Sequence, residues 1–439
     1  MKHSVRSFIQ LVSNHEGLHR YFANTTWMFL EQILRLIAGL FVGIWVARYL
    51  GVSQFGIFNY SIAVAALFAA VSNLGLDSIV VIDLIRNSDE KNKILGTAFW
   101  LKLLVSISIF IGALLTFGYM GSESQENIFI LIIMGCSIFQ AFDVISFYFQ
   151  AQVRLKLISL SRLFQLLISS VLKIYLIYIK ADLIWFVIIV LVDQISLSIF
   201  LLISYKKLNL GFFFDSFNFI IAKRLIKQSW SLMIGGFIII LYMRIDQIMI
   251  GKMLGGIDVG LYSAATRISE LWYFIPVLLA NSVFPSLVNS KINNQNLYNK
   301  RLEYLYSFMI WGSIAIAIPT VLGAEFIIST LYGKEYLGGA NVLMIQACSG
   351  VFVFLGAASA KWFISEGLQR YLTYTTLAGG VLNVILNFIF IPLMGINGAA
   401  LATLISQILA CYLMNLAFKR TRENFFRMTR ALNFMKYFR

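Results

Sequence analysis

Histidine is missing from every hydrophobic stretch of this chain: His3, His15 and His19 all sit in its polar N-terminal segment. That excludes a histidine-based metal site or catalytic triad within the apolar body. Cysteine is as scarce, and Cys136, Cys348 and Cys411 each fall inside an apolar run, where they read as small apolar residues rather than disulfides or metal ligands. Charged residues make up only 13% of the 439 positions, whereas a soluble domain carries about 25%. With 59% hydrophobic residues and a mean hydropathy of +0.82, the chain reads as a polytopic integral membrane protein. Only 4 prolines occur, and the apolar segments run to about 20 residues, the length that crosses a bilayer as helix. The polar–apolar alternation of a transmembrane barrel is missing. The expected fold class is therefore all-α, since a helix satisfies its own backbone groups in lipid.

Twelve spans are expected, at residues 24–47, 55–80, 94–118, 127–149, 157–179, 183–204, 229–250, 259–285, 303–323, 341–364, 371–391 and 396–418. An even number puts both termini on one side. Lys2, Arg6, Arg20, Arg86, Lys91, Lys93, Arg154, Lys156, the cluster Lys206, Lys207, Lys223, Arg224 and Lys227, then Lys291, Lys300, Arg301 and the tail from Lys419 to Arg439 all fall on that side. The opposite loops hold little beyond Arg48, Lys180, Lys252 and Lys334. The positive-inside rule then makes both termini cytoplasmic. It also accounts for the formal charge of +15 without nucleic acid, because the charge is spread over short loops beside anionic lipid. The first apolar run is full length and follows about two dozen polar residues, so no removable signal peptide is expected. The tail around Phe425, Phe426, Arg427 and Met428, with Phe434, Tyr437 and Phe438, reads as a basic amphipathic segment on the inner membrane surface.

One turn is written twice. Arg48-Tyr49-Leu50-Gly51 is followed five positions on by Gly56-Ile57-Phe58, and Lys252-Met253-Leu254-Gly255 is followed five positions on by Gly260-Leu261-Tyr262. Tyr148-Phe149 and Trp362-Phe363 form a weaker echo. The basic stretch at 206–228 separates six spans from six, giving an N-terminal bundle at 1–205, a cytoplasmic linker, and a C-terminal bundle with basic tail at 229–439. Because six is even, the halves are parallel repeats, two six-helix bundles around a central cavity. Gly255 to Gly260 lacks the Lys and Ser or Thr of a phosphate loop, so ATP hydrolysis is not expected.

Charge inside hydrocarbon is costly and marks function by default. Glu31 and Arg35 are four apart on one helix face, as are Asn73 and Asp77; span seven carries Arg244 and Asp246, and span eight Arg267 and Glu270. Corresponding spans of the two halves thus hold most of the deep charge. Each pair also admits a structural reading as a self-neutralising salt bridge, and Lys102, Asp143, Lys173 and Asp193 read as local partners. Arg48 and Lys252 can snorkel from the external end of their spans.

The segments Leu34-Arg35-Leu36, Gly43-Ile44-Trp45-Val46-Ala47-Arg48-Tyr49-Leu50-Gly51, Gln54-Phe55-Gly56, Asn59-Tyr60, Leu74-Gly75-Leu76-Asp77, Leu95-Gly96-Thr97-Ala98 and Leu331-Tyr332-Gly333-Lys334-Glu335-Tyr336 closely resemble the bacterial polysaccharide transporter family. These are O-antigen and capsule repeat-unit flippases of the multidrug, oligosaccharidyl-lipid and polysaccharide superfamily. The likeness runs from Asn24 to Phe418. It implies a transporter rather than an enzyme, working by alternating access in a bacterial plasma membrane. The implied substrate is an undecaprenyl-diphosphate-linked oligosaccharide, moved from the cytoplasmic to the outer leaflet. The implied partners are membrane lipid and, in the same membrane, a polysaccharide polymerase and chain-length regulator; no cofactor or metal is implied. The family's cationic lumen maps by position onto Arg35, Arg244 and Arg267, with Arg48 and Lys252 at the outer mouth.

Arginine suits such a substrate because its fork donates two hydrogen bonds to a diphosphate and keeps its charge when dehydrated. Moving about two negative charges out of a negative cytoplasm is favoured by roughly 4 to 5 kcal/mol per 100 mV. Return of the empty cationic cavity is the step that calls for protons or other ions, and Glu31, Asp77, Asp246 and Glu270 are the proton-coupling candidates. Three alternatives stand beside this reading. A multidrug and toxin cation antiporter would want an acidic lumen rather than deep arginines. A lipid II flippase usually has further spans, and a membrane polysaccharide polymerase needs a larger external loop than 323–340.

Overall fold

The computed structural model describes residues 15–119, 124–209 and 211–432, with side chains from residue 27 onward. Lys2, His3, Arg6, Phe434, Tyr437 and Phe438 lie outside the described residues. The described chain is helical apart from turns and short connections, without a strand. Its long elements are α1 (His15–Ser72), α2 (Asp77–Arg86), α3 (Lys91–Tyr119), α4 (Gln125–Met134), α5 (Cys136–Phe139), α6 (Val144–Ala151), α7 (Leu155–Tyr178), α8 (Leu183–Lys206) and α9 (Phe219–Met253). They continue as α10 (Gly256–Glu270), α11 (Phe274–Asn293), α12 (Gln295–Leu322), α13 (Ala324–Leu331), α14 (Ala340–Ser365), α15 (Gln369–Met394), α16 (Ile396–Cys411) and α17 (Arg422–Ala431). Eleven helical stretches among the described residues are long and apolar enough to cross a membrane. The first of them, Trp27–Arg86, contains two of the twelve expected spans, because α1 is broken at Gly51. Large apolar side chains such as Ile85, Val171, Phe308 and Phe388 are exposed along these stretches, as a lipid-facing surface requires.

The chain forms two compact units. Of the described residues, one unit comprises those up to Val46 with Val64–Phe237, and the other comprises Ala47–Ala63 with those from Ile238 onward.

In the first unit, Leu76, Val80, Ile94, Leu95, Phe149 and Leu225 are buried in one core. Residues 206–228, drawn from the sequence as a linker, contribute Phe213 to that core and pack against α3. The Phe99 ring meets Phe214 edge to face at 5.0 Å, and the Trp100 indole donates to the Phe214 carbonyl at 2.7 Å. The Asn218 side chain accepts from the backbone N–H groups of Ile220 and Ile221 at 2.9 and 3.1 Å, an N-cap that starts α9. Arg224 then pairs with Asp83 on α2 at 2.8 Å.

In the second unit, Leu302, Tyr306, Phe354, Trp362 and Phe363 form a core with Met428 and Ala431 of α17. The duplicated turn acquires its physical meaning here. Gly51 (φ 70°, ψ 172°) and Gly255 (φ 106°, ψ −177°) hold the same backbone conformation, one that glycine enters far more readily than any residue with a Cβ. The two copies also pack on each other. A Cβ on Gly56 would stand 1.7 Å from the Gly256 carbonyl oxygen, and one on Gly260 would stand 2.1 Å from the Val52 carbonyl oxygen. The second glycine of each copy therefore lets the other's backbone approach. Segment Ala47–Ala63 is fastened further by Tyr336, whose hydroxyl donates to the Ala47 carbonyl at 2.7 Å and whose ring meets Phe55 at 6.2 Å.

Candidate functional site

The charged residues expected to work inside the membrane fall into three physical situations. Paired charges are the first. On α1, Arg35 donates to the Glu31 carboxylate from Nη2 at 2.7 Å and Nε at 2.8 Å, with Glu31 buried. Lys173 and Asp193 pair at 3.4 Å, both bridged by the Ser169 hydroxyl. Asp77 is exposed and accepts from Asn73 at 2.9 Å, while Asn73 accepts from the fully buried Lys102 at 2.8 Å. One carboxamide thus links a buried ammonium to an exposed carboxylate.

Cations spent on helix ends, or left in the open, are the second situation. Arg48 donates from Nε to the Leu331 carbonyl at 2.8 Å and from Nη2 to the Thr330 carbonyl, so it caps the C-terminal end of α13. A cation there also meets the negative end of the helix dipole. Lys252 is exposed at the end of α9.

The third situation is confined to the second unit. Asp246 is 7% exposed, and its carboxylate accepts from three neutral groups. The Tyr262 hydroxyl donates to Oδ2 at 2.6 Å, the Thr403 hydroxyl donates to the same oxygen, and the Asn387 amide donates to Oδ1 at 2.6 Å. Asn387 also donates to Asn383 at 3.2 Å, and Asn383 to Thr403 at 3.4 Å. These groups come from α9, α10, α15 and α16, so the site is made by packing and not by any local run. Nearby on α9 and α10, Arg244 and Arg267 are half-buried, and Glu270 lies within electrostatic reach of both. Two guanidiniums against one carboxylate leave this cluster cationic.

The structure therefore gathers Arg244, Arg267, Asp246 and Glu270 in one unit and puts Arg35, Glu31 and Asp77 in the other. Sequence reading missed Tyr262, Asn383, Asn387, Thr403 and Gln346, because neutral polar residues do not stand out in an apolar run. A signal was present: Asn383 and Asn387 are four apart on one helix face, both fully buried.

An all-helical membrane chain of two units, with a duplicated break and a caged carboxylate beside arginines, has the make-up of a polytopic transporter. Solved structures share the fold. The lipid II flippase MurJ in an inward closed conformation superposes with a TM-score of 0.74 at 17% identity, covering 94% of this chain and 91% of that one. An inward-facing multidrug resistance MATE family transporter gives 0.73 at 16% identity, covering 90% and 95%. Residues 21–291 match the model of the polysaccharide biosynthesis protein family, and the chain belongs to that family. Two relatives are from Haloferax volcanii. The chain is 24% identical to the probable flippase AglR over 87% of this chain and 80% of that protein. It is 28% identical to the probable low-salt glycan biosynthesis flippase Agl15 over 84% and 78%.

Proposed function

We propose that this protein is a flippase for lipid-linked oligosaccharides whose head carries a diphosphate, undecaprenyl diphosphate in the bacterial case, moved from the cytoplasmic to the outer leaflet by alternating access. The observation that carries this reading is the cationic cluster of Arg244 and Arg267 around a single Glu270, held within apolar spans. A diphosphate and its sugars cannot cross hydrocarbon unaided, because each buried charge and unpaired hydroxyl costs several kcal/mol. A guanidinium pair supplies bidentate donors and countercharge at the depth where hydration is lost. An organic cation would be repelled there, which disfavours drug-cation antiport.

Asp246 is the coupling carboxylate in this reading. Tyr262, Thr403 and Asn387 stabilise its negative charge by hydrogen bonding but carry no positive charge of their own, so a proton taken up during return of the empty protein strands no countercharge among them. Both termini lie on the cytoplasmic side of the plasma membrane, as the basic loops indicate. A polymerase and a chain-length regulator in the same membrane are the partners that would receive the product.

The experiment is deletion of the gene, followed by analysis of lipid-linked oligosaccharide by leaflet. Accumulation of a diphosphate-linked oligosaccharide in the cytoplasmic leaflet, relieved by wild-type protein but not by Arg267→Ala, supports the proposal. Unchanged leaflet distribution contradicts it.

A further inference from the structure

Tyr262, which holds Asp246, is itself held from the other side. The Gln346 side-chain amide on α14 donates to the Tyr262 hydroxyl at 3.1 Å, and the Ser349 hydroxyl sits between two oxygens of Gln346, 2.9 Å from the backbone carbonyl and 3.1 Å from the side-chain oxygen. All three residues are buried. The Tyr273 hydroxyl faces Ser349 and Ser269 beyond them. Gln346, Tyr273 and Ser269 also line a cavity of about 20 Å³, the size of one water, whose wall includes the apolar Trp272, Ile316 and Phe354.

The polarity of this chain is uniform. Gln346 donates to Tyr262 and Tyr262 to Asp246, so both donors point at the carboxylate, and the Ser349 hydroxyl is shared between the backbone and side-chain oxygens of Gln346. Such chains polarise one another, and the state of one end is felt at the other. The cationic cluster lies alongside this chain, since Glu270 shares α10 with Tyr262 and is within electrostatic reach of both Tyr262 and Tyr273. Gln346 is the member with separate donor and acceptor ends. Turning its carboxamide over reverses the direction of donation, which a hydroxyl does by rotating its proton alone.

We propose that Gln346 is a coupling residue: its carboxamide, with Ser349 and Tyr262, forms a reversible hydrogen-bond relay that reports the protonation of Asp246 to the Arg244–Arg267–Glu270 cluster and so sets its affinity for a diphosphate. The relay rests on the anion-binding and coupling roles proposed above. It assigns to α14 a function that carries no charge and touches no substrate. The titratable groups facing Asp246 and the relay are Tyr242 on α9, Tyr262 on α10 and Tyr273, with Glu270 beyond them. Cys411 lies beside Tyr242 and Tyr273, the cations in reach of Glu270 are Arg244 and Arg267, and α15 and α16 present neutral Asn383, Asn387 and Thr403.

The test is binding of geranylgeranyl diphosphate to the purified full-length protein in detergent, across buffers from acidic to mildly alkaline. Unfolding temperature is recorded in each buffer. In the wild type, affinity should change about tenfold over the series, a typical coupling strength. Asp246→Asn should flatten the profile. Gln346→Met, near-isosteric and unable to relay, should flatten it likewise while keeping affinity at one end of the series within about twofold of wild type. Ser349→Ala should do the same, and it carries the test if Gln346→Met unfolds. Thr266→Val serves as control, since the Thr266 hydroxyl bonds only carbonyls of its own helix, and its profile should match wild type. A wild-type profile in Gln346→Met or Ser349→Ala overturns the relay, as does a flat profile in Thr266→Val. Binding that is present but independent of pH in the wild type also overturns the relay and leaves the anion site standing. No binding by wild type at any pH is instead a failure of the anion-site reading.

Discussion

The two units hold their most buried carboxylates, Glu31 and Asp83 in the first and Asp246 in the second, in different ways. In the first, deep carboxylates sit against cations: Glu31 on Arg35, Asp193 on Lys173, Asp83 on Arg224. In the second, Lys291 pairs with Glu366 and Arg427 with Glu423, while Asp246 rests on two hydroxyls and an amide. An ion pair fixes both partners, because neutralising one strands the other in low dielectric. A carboxylate held by neutral donors can change protonation and leave no stranded charge. All four prolines, Pro276, Pro285, Pro319 and Pro392, also belong to the second unit, and three of them lie inside helices, where each removes a backbone hydrogen bond. The lesson is that duplicated halves need not share labour equally.

The comparison breaks most visibly if equivalent substitutions act alike. Replacing both Arg244 and Arg267 with Ala should lower glycan export by at least about a hundredfold at normal protein level, since each lost charge-assisted contact is worth about 1.5 to 3 kcal/mol. Lysine at both positions should recover part of it. Measurement of lipid-linked oligosaccharide in each leaflet, normalised to protein, checks this. Normal export in the double Ala variant would place the anion site elsewhere.

Asp193→Asn should behave differently. It leaves Lys173 facing a neutral amide in a partly buried setting, so the expected cost is about 1 to 3 kcal/mol of stability, with little change in ion dependence. Thermal unfolding beside transport would show it; a stable variant with altered ion dependence would put a coupling group in the first unit as well.

The duplicated turn gives a test of similar size. Gly56→Val forces a branched side chain into the space taken by the Gly256 carbonyl and should destabilise the fold by about 1 to 3 kcal/mol. Gly39→Val, where an added Cβ meets nothing within 4 Å, should be well tolerated. Arg48→Ala removes a helix cap on an exposed surface and should cost about 1 kcal/mol or less. A large loss of export at unchanged stability would mean that Arg48 meets substrate as well as α13.

Much of the architecture was legible before the structure, because long apolar runs and basic loops follow from the bilayer itself. The doubled Gly51 and Gly255 turns were visible as spacing, and their shared backbone angles explain that spacing. What could not be read was assembly across distant elements. Arg48 looks like an outer-mouth cation until its donors are seen on Thr330 and Leu331, 282 and 283 residues away. Asp246 was visible as a deep acid, but its cage of Tyr262, Asn387 and Thr403 comes from three other helices and contains no charged residue. Phe213 and Phe214 read as part of a linker because flanking lysines dominate the local signal, and only packing against Phe99 and Trp100 reveals their role.

The central claim is that this protein moves a lipid-linked anion in a cycle set by Asp246. Reconstituted vesicles carrying a fluorescent diphosphate-linked oligosaccharide, with membrane potential and pH gradient imposed independently, test it most directly. Wild-type protein should flip the lipid and respond to a pH gradient at fixed potential, and Asp246→Asn, at equal unfolding temperature, should lose that response while still following potential. Flipping that follows potential alone in the wild type, or an undiminished pH response in Asp246→Asn, would contradict it.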